Sequence, residues 1–217
     1  MIIKVCGMKE PENIRQLAEL NVDYMGFIFY PLSKRFAGAP DKHVLTSLPA
    51  SIKKTGVFVD ANIEVIADKV NYYQLDAVQL HGAESPEFCR SLKKVLQNVC
   101  GGKSVELIKA LGIFPGFNFN DLEVFQEEVD YFLFDTKTAG HGGSGISFDW
   151  NILKEYVGSK PYFLSGGISA ENVDGITDFA DHHLYGVDLN SRFETEPGIK
   201  DISKLESVFQ LIRDQKI

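Results

Sequence analysis

Short apolar runs with the period of a buried strand recur along the chain, between stretches whose apolar residues fall three and four positions apart. The runs predict strands at Ile2–Cys6, Tyr24–Phe29, Gly56–Asp60, Ala77–Leu80, Val105–Leu111, Tyr131–Asp135, Tyr162–Ser165 and Leu184–Asp188. Between them, Ile14, Leu17 and Ala18, then Ile63, Ile66, Ala67 and Val70, then Phe88, Leu92, Val95, Leu96 and Val99 each give a helix one apolar face. A last helix near Ile202–Gln215 does the same with Ile202, Leu205, Val208, Phe209 and Ile212. Ser85-Pro86 reads as an N-cap followed by proline at the first helical position. Pro11 serves similarly, and Ser169 is expected to open a helix behind Gly166-Gly167.

Eight strands alternating with helices over 217 residues predict an α/β fold, a single (β/α)8 TIM barrel filling residues 1–217. A doubly wound sheet would more often open on a Gly-x-Gly-x-x-Gly turn, and none follows the first strand. The chain has no Pro- or Ser-rich linker, no low-complexity tract and no close repeat beyond the βα unit. Active sites of such barrels lie at the carboxyl ends of the strands, with phosphate often held after strands seven and eight. Here those ends carry Cys6, Asp60, His81, Asp135, Gly166 and Asp188.

Composition narrows the choice of ligand. A formal net charge of -8 without any Lys/Arg block argues against nucleic acid, which needs a clustered basic surface. A small anion remains compatible, because oriented backbone N–H groups bind it whatever the net charge. Neither a signal peptide nor an apolar run long enough to span a bilayer is visible, so a cytoplasmic protein without membrane contact is expected. Three cysteines, Cys6, Cys89 and Cys100, are odd in number and lack metal spacing, which fits a reducing compartment. Adjacent His182 and His183 are poorly placed to ligate one metal, and neither a metal nor a nucleotide cofactor is expected.

A free cysteine most often packs as a small hydrophobe, and Cys89 and Cys100 are read that way. Cys6 differs in ending a strand just before Gly7. Strand alternation puts Lys4 on the same face one layer beneath, where its charge favours the thiolate, the basic form. Asp135 closes the apolar run Tyr131-Phe132-Leu133-Phe134, and a carboxyl desolvated in a pocket is suited to general-acid work. The glycine-rich stretch from Thr136 to Gly145 follows it and can approach a ligand closely. Gly166-Gly167 at a strand-to-helix junction, with the loop Asp188, Leu189, Asn190 and Ser191 beside it, reads as a bipartite phosphate cradle. Arg35, after the second strand, is a candidate anion clamp, and His81 shares a strand face with Gln79. Together these residues suggest proton transfer on a phosphorylated sugar, bound by a monomer or a homodimer.

Several motifs occur in order around the barrel: Lys4-Val5-Cys6-Gly7, Gly26-Phe27-Ile28-Phe29 with Ser33-Lys34-Arg35, Gly56-Val57-Phe58-Val59 and Val78-Gln79-Leu80-His81-Gly82. Gly143-Ser144-Gly145 with Phe148-Asp149-Trp150, and Leu164-Ser165-Gly166-Gly167-Ile168 with Glu171-Asn172-Val173, complete the series. Over essentially its whole length the chain resembles the phosphoribosylanthranilate isomerases of tryptophan biosynthesis. The resemblance implies a (β/α)8 barrel and an Amadori rearrangement of N-(5-phosphoribosyl)anthranilate to 1-(2-carboxyphenylamino)-1-deoxyribulose 5-phosphate. It assigns the general base to Cys6, the general acid to Asp135, the anthranilate carboxylate to Arg35 and the phosphate to the two glycine-bearing loops. The chain departs from the family pattern at Lys34, where proline is common, and at Arg192, where the family usually has glycine. Two other readings stay open: a lyase of the indole-glycerol-phosphate synthase kind, with Lys4 or Lys109 as catalyst, and a non-catalytic phosphosugar-binding barrel.

Overall fold

A computed structural model describes residues 1–136, 149–178 and 182–214. Eight parallel strands close into a barrel in sequence order: β1 Ile2–Cys6, β2 Tyr24–Ile28, β3 Lys53–Phe58, β4 Ala77–Leu80, β5 Glu106–Ile113, β6 Tyr131–Thr136, β7 Tyr162–Leu164 and β8 Leu184–Leu189. The predicted third strand is displaced: it begins at Lys53, and Asp60 lies beyond it at φ 50°. There the Asp60 carboxylate accepts from the Ala83 N–H, so the turn draws Asp60 into a loop contact instead of the ladder.

The outer helices are α1 Pro11–Glu19, α2 Lys42–Thr46, α3 Ile63–Tyr73, α4 Pro86–Val99, α5 Gly175–Asp178 and α6 Ile202–Asp214. The longer ones bury the predicted apolar stripes: Leu17 on α1, Ile66 and Val70 on α3, Leu92 and Leu96 on α4, Phe209 and Ile212 on α6. Val99 is an exception, exposed at the end of α4, while Cys89 takes the buried place. The Ser85 hydroxyl accepts from the Phe88 N–H and caps α4 as expected. No helix opens at Ser169. The segment after the glycine pair runs through turns, and α5 begins only at Gly175. Among the described residues, the connections after β5 and β6 hold the 3₁₀ turns Phe119–Phe125 and Trp150–Glu155. A short hairpin, β9 Glu194–Glu196 and β10 Ile199–Lys200, follows β8 without any sequence expectation for it.

Inward-facing side chains alternate with outward ones along each strand. Tyr24, Ala77, Ile108, Ala110, Leu133 and Phe163 fill the lower barrel, Tyr24 and Phe163 meeting edge-on at 5.3 Å between centroids. At its floor the Tyr24 hydroxyl donates to Glu106 Oε2 at 2.9 Å and accepts from Lys53 Nζ at 2.9 Å. This closure leaves the opposite, carboxyl end of the strands as the mouth.

One repeat escaped the sequence reading. Asp23, Asp76 and Asp130 each stand just before β2, β4 and β6, and each carboxylate accepts a backbone N–H from the preceding strand. The partners are Ile3, Lys54 and Leu107, at 2.7–2.9 Å. Each acid thus joins the start of one strand to the start of the next.

Candidate active site

The strand ends enclose a cavity of about 780 Å³, open mouth included, and Cys6, Arg35, His81 and Asp135 all line it. So do Gly166, Gly167, Asp188, Asn190 and Ser191, whereas Asp60, also expected at a strand end, does not line it. The glycine-rich stretch 137–145 and Phe148 lie outside the described residues.

Cys6 turns inward from the end of β1 against Gly26 of β2, whose missing side chain makes room for the sulfur. Lys4 lies beneath it, completely buried, with Nζ 2.7 Å from Asp188 Oδ1. Burial alone would push the Lys4 ammonium toward neutrality, but Asp188 and Cys6 outweigh it and raise its pKa. For Cys6 the balance goes the other way than Lys4 alone suggests. Burial pushes the thiol above its ordinary range, helped by Asp188 and opposed by Lys4 and Lys200. The resting group is therefore a thiol, because desolvation of the thiolate exceeds the pull of the buried ammonium.

Asp135, at the end of β6, is also buried, and burial raises its pKa to about 6 with the charge of Asp188 adding to it. The Thr136 N–H, donating at 2.8 Å, and Lys4 work in the opposite direction. His81 Nε2 stands 3.7 Å from Asp135 Oδ2, and His81 Nδ1 lies 3.0 Å from Gln79 Nε2. Gln79 therefore orients the ring that faces the acid, a role its place on the β4 face signals.

The rim beside Cys6 depends on the unforeseen hairpin. Glu194 of β9 accepts from Arg35 through both Nε and Nη2, at 2.8 and 2.7 Å. Lys200 of β10, fully buried at its side chain, donates to Glu194 Oε1 and Asn190 Oδ1, both at 2.7 Å. Burial lowers the Lys200 pKa, while Glu194 remains ionised between its two cations with its own pKa depressed. Glu194 and Lys200 thus hold Arg35 and Asn190 in place. Neither carried a sequence signal, since both reach the site only through the hairpin.

Gly166 and Gly167 both adopt positive φ, 86° and 70°. A Cβ on Gly166 would fall 2.9 Å from Asp135 Oδ1 and 2.7 Å from the Thr136 nitrogen, so the turn packs directly on the acid. Asn172 secures it, donating from Nδ2 to the Gly167 carbonyl and accepting from the Ser169 N–H. The expected helix dipole is missing, because the segment does not become helical until α5. Backbone of the turn, with Asn190, Ser191 and Arg192 on the neighbouring rim, is what an anion would meet.

A sequence model of the family "N-(5'phosphoribosyl)anthranilate (PRA) isomerase" matches residues 3–211. The chain belongs to this family. It is 48% identical over 214 residues to the N-(5'-phosphoribosyl)anthranilate isomerase of Parabacteroides distasonis, covering 98% of this chain and 93% of that one. With the protein of the same name from Phocaeicola vulgatus it shares 40% identity over the full length of both chains. Among solved structures, the phosphoribosyl anthranilate isomerase of Thermotoga maritima superposes with a TM-score of 0.80 at 32% identity, covering 99% of this chain and all of that one. A family structure holding reduced 1-(o-carboxyphenylamino)-1-deoxyribulose 5-phosphate superposes with a TM-score of 0.77 at 30% identity, covering 99% and 100%.

Lys109 is one of the two lysines that the lyase reading offered. It faces away from the barrel interior, its Nζ donating to Glu84 Oε2 and the Gly82 carbonyl at 2.7 Å each. Among the described residues, no group of three His, Cys, Asp or Glu side chains is arranged to hold a metal, and no helix is long and apolar enough to cross a membrane. The His182 and His183 rings meet at a tilt of 42° at the amino end of β8, the end of the barrel opposite the mouth.

Proposed function

We propose that this protein is a phosphoribosylanthranilate isomerase, with Asp135 as general acid and Cys6 as general base. The observation that carries the reading is the meeting of a buried thiol and a carboxyl titrating near pH 6 in one cavity rimmed by anion-binding groups. Asp135 donates its proton to the furanose ring oxygen of N-(5'-phosphoribosyl)anthranilate. The C1–O bond breaks, and the anthranilate nitrogen lone pair forms the C1=N bond of a Schiff base. Cys6 as thiolate removes the C2 proton, and those electrons give an enolamine that tautomerises to the 2-ketone. Gly166, Gly167, Asn190 and Ser191 receive the phosphate, and Arg192 adds positive charge on the same rim. Arg35, oriented by Glu194, meets the anthranilate carboxylate. Asp188 contributes through Lys4 and not by touching phosphate, since two anions would repel.

Purified protein added to phosphoribosylanthranilate should abolish the substrate's fluorescence with multiple turnovers. Cys6→Ala should bind the substrate and leave the fluorescence nearly constant. Binding without turnover by the unaltered protein would instead mark a phosphosugar-binding barrel.

A further inference from the structure

The proposed reaction needs an unusual pair of protonation states. At neutral pH an ordinary carboxyl has lost its proton and an ordinary thiol has kept it, whereas the chemistry requires a protonated Asp135 and a deprotonated Cys6. The productive fraction falls tenfold for every unit by which the proton affinity of the base exceeds that of the acid. Any feature that lowers one and raises the other therefore acts directly on rate.

Around the ring, Asp135 on β6 and Cys6 on β1 are separated by β7, with Ser165 directly after it, and β8, bearing Asp188. Lys4 is opposite Asp188 in the β1–β8 ladder, two residues before Cys6 on the same strand face. The ion pair is shielded from solvent, so its field is poorly screened. We propose that Lys4 and Asp188 form a positioning dipole, ammonium end beneath Cys6 and carboxylate end toward Asp135, which increases the share of enzyme holding a deprotonated base and a protonated acid. The inference rests on the roles of Cys6 and Asp135 given above and concerns how they are prepared.

The charges sort accordingly. Lys4 pulls the Cys6 thiol down more strongly than Asp188 pushes it up, and Asp188 pushes Asp135 up more strongly than Lys4 pulls it down. The other charged groups facing the pair are Lys200 on β10, Arg35 after β2, His81 after β4 and Arg192 after β8. Glu194 neutralises part of the first two, and His81 adds charge only when protonated. None of these bridges the two reacting groups as Lys4 and Asp188 do.

The test replaces both charges, in Lys4→Met/Asp188→Asn, in the full-length protein. Two readouts follow the two groups. The pH dependence of Cys6 alkylation by iodoacetamide, read by mass spectrometry of the Cys6 peptide, needs no substrate and no isomerase activity. The kcat/KM profile reports both groups. The alkylation midpoint should rise by about one pH unit, a tenfold slower alkylation at any pH below it. The profile should fall in height while its acid limb moves to lower pH and its alkaline limb to higher pH. A loss of activity with both limbs and the alkylation midpoint unmoved overturns the proposal and leaves the pair as packing only. If the double variant does not fold, Asp188→Asn alone decides: both limbs and the alkylation midpoint should move to lower pH, and unmoved values overturn the proposal equally. Failure of the alkylation shift is thus separable from failure of the isomerase reading, which would appear as no turnover by the unaltered protein.

Discussion

A Cβ on Gly26 would lie 2.7 Å from the Cys6 sulfur and 3.1 Å from the Cys6 Cα, so the absence of one side chain on β2 sets the position of the thiol on β1. The second contact is with backbone, which the barrel ladder holds at Cys6↔Gly26. Gly26→Ala should displace the thiol and destabilise the barrel by about 1–3 kcal/mol, the usual cost of overpacking. Activity should fall well beyond what the lost stability explains. Urea unfolding together with kcat on the folded variant checks this, and unchanged kcat would mean the thiol tolerates the shift.

Asp135→Asn keeps the shape of the side chain and removes the transferable proton. Turnover should fall on the order of 10²–10⁴-fold, the range for one general acid–base group. Stability should move the opposite way. With a folded pKa of about 6 against an ordinary 3.8, the native state holds the proton more tightly than the unfolded chain. That contribution is complete below about pH 4 and is lost as pH rises through 6, for a total on the order of 3 kcal/mol. The Asn variant escapes the loss, so it should match the parent near pH 4 and exceed it at pH 8. Equal differences in unfolding free energy at the two pH values would remove the buried, proton-binding carboxyl from the argument.

Glu194→Gln leaves Lys200 buried beside Arg35 without a counter-charge. Breaking such a pair typically costs about 3–5 kcal/mol, which urea unfolding at pH 7 measures. Arg35 loses its anchor as well, so KM should rise more than kcat falls. A lowered kcat at constant KM would show that the hairpin serves the chemistry directly. Lys200→Met in the same background should recover stability without recovering substrate affinity.

Gly167→Val puts a β-branched side chain at φ 70° in the turn proposed to receive phosphate. Inorganic phosphate should inhibit the parent competitively and the folded variant far less. Calorimetry with a phosphorylated product analogue gives the decisive value: unchanged affinity would place the phosphate elsewhere and leave the glycines as a tight turn.

Much of this protein is legible along the chain. Short apolar runs located all eight barrel strands, because a strand buried on both faces has little freedom in composition. Their polar end residues, Cys6, His81, Asp135 and Asp188, then share the mouth of the barrel as a consequence of topology. The stripe of Ile66 and Val70 or of Leu92 and Leu96 was equally readable, each being a local property of one helix. Where the sequence was silent or misleading, particular polar contacts decided, one of them local and the others distant. Ser169 satisfies its N–H on Asn172 within a turn, so the helix predicted there does not begin. Glu194 reaches Arg35 across 159 positions, and Lys4 reaches Asp188 across 184.

The protonation of the site belongs wholly to that second group. Lys4 two residues before Cys6 suggested a thiolate, since adjacency in a strand is visible in sequence. Burial is not, and in the folded barrel it raises Cys6 and Asp135 together. The presence of Cys6 and Asp135 at strand ends and their order around the ring were determined by the chain itself, through its apolar runs and strand order. Their proton affinities, and the partners that hold Arg35 and Asn190, were decided only by the closed structure. Desolvation and Coulomb forces depend on distances that no single segment contains.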